Sequence, residues 1–131
     1  MCIFCKIINK DIPCHEIYED DKTLAFLDIK PINPGHALVI PKTHYANFEE
    51  ITPEDLQAVI LTVKKIGALL KEKLGALGYN VMESNDPIAG QEIPHLHFHI
   101  IPRRTGDGYI HWPRREYDQG EAEETLKKLK A

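Results

Sequence analysis

The chain has 131 residues, 43% of them hydrophobic and 27% charged, with a formal net charge of −4. That length suits one domain with a single buried core, and that composition excludes a disordered chain. Basic residues gather no further than pairs such as Arg103-Arg104 and Arg114-Arg115, too few for a nucleic-acid-binding face.

No apolar run is long enough to span a membrane, and the opening MCIFCKIINK lacks the apolar core of a signal peptide. Three cysteines, Cys2, Cys5 and Cys14, are an odd number that fits a reducing compartment and no disulfide framework. The expected location is the cytoplasm, with neither membrane nor nucleic acid as a partner.

In chain order, residues 3–10 form a short helix. Glu16–Tyr18 and Thr23–Ile29 are β-rich segments joined through Glu19-Asp20-Asp21-Lys22, a hairpin turn. Pro31, Pro34 and Gly35 interrupt the chain before a short buried strand, Ala37–Pro41. The clearest helix is Pro53–Leu74: Thr52 is a good N-cap, Pro53 suits the first helical position, and Gly75 is a stop. Leu56, Val59, Ile60, Val63, Ile66, Gly67, Leu70 and Leu74 recur at spacings of three and four and form its apolar stripe. Tyr79–Glu83 is a strand, Ser84–Glu92 a turn-rich loop, and Leu96–Ile101 a strand stopped by Pro102. Glu121–Lys130 is a short helix after a tail containing His111-Trp112-Pro113. The expectation is an α+β domain covering residues 1–131, with an antiparallel sheet of about five strands, one long helix and one or two short ones.

The chemistry gathers in HLHFHIIP, residues 95–102. Side chains alternate along a strand, so His95, His97 and His99 share one face while Leu96, Phe98 and Ile100 pack beneath the helix. Thr, Lys or Glu would serve an exposed polar face equally well, so three alternating histidines point to function. Such a set can chelate one transition metal, or supply a nucleophile and a general acid–base group. The preceding Ala89-Gly90-Gln91-Glu92 offers backbone N–H groups beside a glycine, a cradle for an anion. A histidine nucleophile next to an anion cradle suggests attack at phosphorus, and the chain has no P-loop motif.

HLHFHII resembles the His-x-His-x-His-x-x signature of the histidine-triad (HIT) family of nucleotide hydrolases and transferases. CIFCKII, LAFLDIKPINPGHALVIPKTH and AGQEIPHLHFHIIPR stand in the order and spacing of that family's landmarks, so the resemblance covers residues 1 to about 113. It implies cleavage at the α-phosphate of purine nucleoside phosphoramidates or dinucleoside polyphosphates, through a covalent nucleotidyl-histidine that water resolves to a nucleoside monophosphate. His97 would be the nucleophile. His99 would contact the α-phosphate and assist the leaving group, and His36 would orient the triad. Asp28 would accept hydrogen bonds from the ribose hydroxyls. Phe4, Ile7, Phe26, Ile29 and Leu38 would enclose the purine, with Ile93 also at the substrate. Gly90, Gln91 and Glu92 would lie at the phosphate, and Trp112 at the far end of the groove. The family is usually homodimeric. Magnesium is not expected, because histidines and backbone donors supply the charge stabilisation.

Two positions depart from the family pattern. Ser84 stands where Asn or Gln is common, with Asn85 as a neighbouring substitute, and Glu92 replaces a Ser or Thr. The purine phosphoramidase branch is the nearer one, on His111-Trp112-Pro113. Cys2-x-x-Cys5 has zinc-knuckle spacing. Some microbial HIT-like proteins join such a pair to a histidine after Pro-Lys and to the first triad histidine, here His44 and His95. That implies a closed structural zinc site of Cys2, Cys5, His44 and His95. Cys14, His15 and His111 fit neither site. Two rival readings remain at this point: a metallohydrolase whose zinc is held by all three triad histidines, and a nucleotide sensor or scaffold with little turnover.

Overall fold

The computed structural model describes residues 2–131; Met1, counted in the expected domain, lies outside the described residues. Helix α1 (Ile3–Ile8) buries Phe4 and Ile7. It stops short of residue 10, where Lys10 takes a positive φ of 67°. Strands β1 (Glu16–Glu19) and β2 (Thr23–Leu27) form the expected hairpin. Asp20 Oδ1 accepts the Lys22 and Thr23 N–H groups at 2.9 and 2.8 Å, the local turn that aspartate favours. Strand β3 (Ala37–Pro41) pairs antiparallel with all of β2, from Thr23↔Pro41 to Leu27↔Ala37.

Helix α2 (Pro53–Leu74) has the expected limits. Thr52 Oγ1 accepts from the Asp55 N–H at 3.2 Å, and Gly75 closes the helix at φ 67°. Its buried stripe is Val59, Thr62, Val63, Ile66, Gly67 and Leu70. Ile60 and Leu74, expected in that stripe, are exposed. Thr62 takes a core position instead, because its hydroxyl meets the buried Thr23 hydroxyl at 2.8 Å. Gly67 gives room to the Tyr79 ring, which a Cβ at this position would displace.

Strand β4 (Gly78–Glu83) pairs antiparallel with β5 (Phe98–Arg103). A three-residue 3-10 turn, Pro87–Ala89, lies in the loop between them. Strand β5 starts two residues later than the alternation suggested and runs through Pro102. Pro102 O accepts from Asn33 Nδ2 at 2.9 Å, so this residue's backbone faces away from β4 and its missing N–H removes no β4–β5 bond. Helix α3 (Glu121–Lys130) closes the chain as expected.

Among the described residues the five strands make one antiparallel sheet in the order β1-β2-β3-β5-β4. Both faces of its centre are buried. On one face Ala25, Ala37, Val39, Phe98 and Ile100 pack with Val59, Val63, Ile66 and Leu70 of α2. On the other, Leu24, Phe26, Leu38 and Ile40 pack with Phe4 and Ile7 of α1. The histidines emerge on this second face, beside the short helix. Among the described residues no helix is long and apolar enough to cross a membrane.

Candidate functional site

The segment before β5 carries two of the three triad histidines outside the sheet. His95 and His97 precede the first strand residue, Phe98, yet the alternation of side chains persists: Leu96, Phe98 and Ile100 enter the helix-side core. His95 and His97 are buried, and His99 is partly buried opposite Leu38 of β3 and Met82 of β4.

Fixed backbone partners determine the tautomer of each ring. His97 Nδ1 lies 2.8 Å from His95 O, an acceptor, so it carries the proton and leaves the Nε2 lone pair free. His36 Nδ1 accepts the Ile32 N–H at 3.0 Å, so the proton sits on Nε2 and is donated to His99 Nδ1 at 2.9 Å. His99 therefore presents Nε2–H as a donor. His95 Nε2 donates to Pro41 O at 2.9 Å and turns its bare Nδ1 the other way. Burial lowers the pKa of all four rings, with His95 and His99 held at about 4, so each is neutral near pH 7. The result is a lone pair on His97 beside a hydrogen-bond donor on His99, with ring centroids 4.9 Å apart. A nucleophile and an acid so placed can exchange one substituent at phosphorus for another.

Asp28 stands next to this pair. Its Oδ1 accepts the Lys30 N–H at 2.9 Å, and its Oδ2 is 3.6 Å from His36 Nε2. Phe4, Ile7, Phe26 and Leu38 form one apolar cluster, against which Ile93 packs; the Phe4 ring stands 5.2 Å from His97 and 5.6 Å from Phe26. Ile29 does not join that cluster. Strand β2 ends at Leu27, the Asp28–Lys30 turn redirects the chain, and Ile29 is 84% exposed. Cys14, expected to be incidental, packs against the same cluster.

The loop before the triad differs from the expected anion cradle. The N–H groups of Ala89 and Gly90 are used inside the loop, donating to Asp86 O and Pro87 O at 3.0 Å each, and that of Gln91 reaches Asp86 O at 3.3 Å. The Gln91 side chain accepts from the Asp86 N–H and donates to Ala46 O, so it braces the loop and does not face the triad. Asn85 is also engaged: its amide donates to Glu83 and accepts the Phe48 N–H at 2.7 Å. Ser84 is the first residue after β4, two residues on from Met82, the register partner of His99. Glu92 is exposed, and its negative charge acts on His97 in the direction that favours protonation. Trp112 is 76% exposed and lines a groove of about 430 Å³ with Asn80, Met82, Ile101 and Arg103. Met82 is the register partner of His99, so the groove continues the triad face. His111 lines it too.

A second cluster lies on the far side of His95. Cys2, Cys5, His44 and His95 each bring a ligating atom within 4.8 Å of the others. Cys2 Sγ and Cys5 Sγ lie 3.5 and 3.6 Å from His95 Nδ1, Cys5 Sγ lies 3.3 Å from His44 Nδ1, and the two Nδ1 atoms are 3.2 Å apart. Tetrahedral zinc, with bonds of about 2.3 Å to sulfur and about 2.05 Å to nitrogen, requires S···N near 3.6 Å and N···N near 3.3 Å. The donor set and its spacing fit that ion. Asp28, His36 and His99 also converge, but the Ile32 N–H occupies His36 Nδ1 and leaves Nε2 protonated, so that trio is not ready for a metal. Both nitrogens of His95 are directed away from His97 and His99. The three triad imidazoles therefore do not converge on one ion, which removes the geometric basis of the metallohydrolase reading.

The backbone groups that fix these tautomers, the Pro41 and His95 carbonyls and the Ile32 N–H, were not among the expected site residues. No side-chain pattern could have announced them.

Similarity to known proteins bears on the same site. A model of the HIT domain family matches residues 9–106. The chain is 56% identical over 110 residues to a HIT-like protein of Methanocaldococcus jannaschii, covering 84% of each chain. It is 44% identical over 119 residues to the adenosine 5′-monophosphoramidase of Schizosaccharomyces pombe, covering 91% of this chain and 80% of that one. A zinc-bound histidine triad family protein from Mycobacterium smegmatis superposes with a TM-score of 0.80 at 35% identity, covering 98% of this chain and 95% of that one.

Proposed function

The chain belongs to the HIT domain family, and from that premise we propose that it hydrolyses purine nucleoside phosphoramidates, forming a nucleotidyl-histidine on His97. The observation that carries this reading is the 2.8 Å bond from His97 Nδ1–H to His95 O, which leaves Nε2 as a neutral, directed lone pair. Similarity to a relative named for adenosine 5′-monophosphoramidase activity supports the substrate class. Dinucleoside polyphosphates are the second substrate class, by the same attack with a phosphate leaving group.

In the first step the Nε2 lone pair of His97 forms a bond to the α-phosphorus as the bond from phosphorus to the amine nitrogen breaks. The departing nitrogen accepts the His99 Nε2–H hydrogen bond, which His36 and, behind it, the Ile32 N–H hold toward the site, and it leaves as the amine with a solvent proton relayed along that bond, so His99 ends the step neutral. In the second step water attacks phosphorus, its proton passes to solvent through His99, and His97 leaves. The products are an amine and a nucleoside monophosphate, and magnesium is not needed. Asp28 Oδ2 is the acceptor we assign to the ribose hydroxyls. Phe4, Ile7, Phe26, Leu38 and Ile93 are the apolar wall we assign to the purine. Ser84 and Glu92 flank the phosphate, Gly90 shapes the loop beside it with Gln91 as its brace, and Trp112 lines the groove for the leaving group.

Cys2, Cys5, His44 and His95 are the residues we assign to a structural zinc ion, which supplies cross-linking and no chemistry. One HIT domain over residues 1–131, in a reducing cytoplasm that keeps the three thiols free, is part of the same reading. A second copy is the partner we assign to the exposed Tyr79 and Val81 of edge strand β4. Release of monophosphate from an adenosine phosphoramidate, measured for wild type and His97→Ala, tests the reading. Turnover in the first and its loss in the second is the expected result. Monophosphate binding without turnover in either would favour a nucleotide sensor.

A further inference from the structure

We propose that the Cys2–Cys5–His44–His95 cluster is a positional lock on the His97 imidazole, so that filling the cluster sets the geometry of the nucleophile two residues along the chain from His95. The inference rests on the reading that His97 attacks phosphorus. It assigns to His95 and Phe4 the role of positioning residues.

The argument begins with what holds His97. Strand β5 starts at Phe98, so residues 95–97 are outside the strand. The Nδ1 partner of His97 is the carbonyl of His95, in this unpaired segment. What fixes that carbonyl is the His95 side chain, fully buried, with Nε2 on Pro41 O and Nδ1 on the two thiols and His44. The ring and the carbonyl of one residue share a single Cα. Anchoring the ring at both nitrogens restrains Cβ and Cα, and with them the backbone torsions open to the carbonyl; releasing Nδ1 widens that range and loosens the His97 tautomer. The adjacent Leu96 N–H donates to Tyr45 O at 2.8 Å, and Tyr45 follows His44. Residues 44–45 thus grip residues 95–96 through one side-chain contact and one backbone contact. The side-chain contact, Nδ1 to Nδ1 at 3.2 Å, is a hydrogen bond with the proton on one ring, and with both nitrogens bare it is the spacing of two ligands on one shared cation.

A second connection runs through α1. This helix has six residues, too few for stability on its own. Cys2 and Cys5 flank Phe4, whose ring stands 5.8 Å from His95 and 5.2 Å from His97, edge-on to both. Two thiolates bound to the same ion as His95 would tether α1 at the point where Phe4 meets the nucleophile. The cluster therefore reaches His97 from its backbone side and from its ring side together.

The test uses the full chain with zinc and after stripping by a chelator. Two quantities are read on each form: solvent exchange of the His97 Nδ1–H, by nitrogen-15 imidazole NMR, and the single-turnover rate of nucleotidyl-enzyme formation. Stripping should speed that exchange at least tenfold and slow adduct formation by roughly ten- to hundredfold, with both restored by zinc alone. His44→Ala removes an exposed ligand and keeps the core, so it covers the case in which stripping unfolds the sheet. This variant should need a higher zinc concentration to reach the same protection and rate. An exchange rate that ignores zinc in both proteins would overturn the lock. Protection that tracks zinc in a protein forming no adduct would leave the lock standing and remove the nucleophile reading.

Discussion

The backbone oxygen of His95 lies 2.8 Å from Nδ1 of His97, while the side chain of the same His95 turns to Cys2, Cys5 and His44. One residue thus belongs to two sites, its ring to a metal cluster and its carbonyl to the nucleophile. The two rings, two residues apart, have different partners and different tautomers.

Replacing His36 should separate chemistry from binding. His36→Phe keeps an aromatic ring and removes both the acceptor for the Ile32 N–H and the donor to His99. The proton on His99 is then no longer directed to Nε2. The maximal rate should fall by roughly a hundredfold, the usual scale for a misplaced general acid, while monophosphate affinity changes by less than about threefold. Steady-state kinetics with calorimetric binding of the monophosphate measures both.

Asp28→Asn should act the other way. The carboxylate accepts from two hydroxyls at once, and an amide presents one oxygen and a competing donor. Monophosphate binding should weaken by about tenfold, a loss of about 1.4 kcal/mol. The preference for a ribonucleotide over its 2′-deoxy analogue should shrink to near unity. Titration of both ligands into both proteins reads the difference.

Acid should destabilise the fold through the histidines. Burial first, then the neighbouring His97 and His36, hold His99 at about 4, against about 6.5 in an unfolded chain. The folded value lies below the unfolded one, so the unfolded chain binds more protons between them. Stability is therefore full above about pH 6.5 and declines as the pH falls toward about 4. His36 is shifted in the same direction by burial. Thermal melts from about pH 7.5 to about pH 4.5 should show a falling midpoint, with a loss on the order of 1–2 kcal/mol for His99 once partial exposure is allowed for. His99→Asn should flatten that decline.

Gly67→Ala tests the contact between α2 and β4. Alanine is the better helix former by about 1 kcal/mol. Its Cβ, however, would sit 2.4 Å from Cζ of Tyr79, so the ring must swing away from the helix. Overpacking of this kind costs about 1–3 kcal/mol. The net should be a loss of about 1 kcal/mol in denaturant unfolding, and Tyr79→Ala in the same chain should restore the helix-forming advantage.

Much of this was legible in the residues. Helix α2 has the limits its cap, periodicity and glycine stop imply, and β3 those of its apolar run. The alternation of side chains holds even before the strand begins, with Leu96 in the helix-side core beside Phe98 and Ile100. The period alone therefore places the start of β5 two residues early, because the ladder depends on a partner strand. Pro102 looked like a stop, yet its backbone faces away from β4. Ile29 looked like a base contact because it is apolar and follows Asp28, but a side-chain turn at Asp28 redirects it. The loop at Gly90 carries N–H groups that satisfy its own carbonyls. Each of these depends on where backbone polar groups find partners, and side-chain identity alone does not encode that.

The most direct measurement is intact mass spectrometry of the protein mixed with an adenosine phosphoramidate and quenched without acid, on wild type and His97→Ala. The account predicts a nucleotidyl adduct on wild type that is absent from the variant and decays as monophosphate appears. Turnover with no adduct on wild type, or an adduct that persists in His97→Ala, would contradict it.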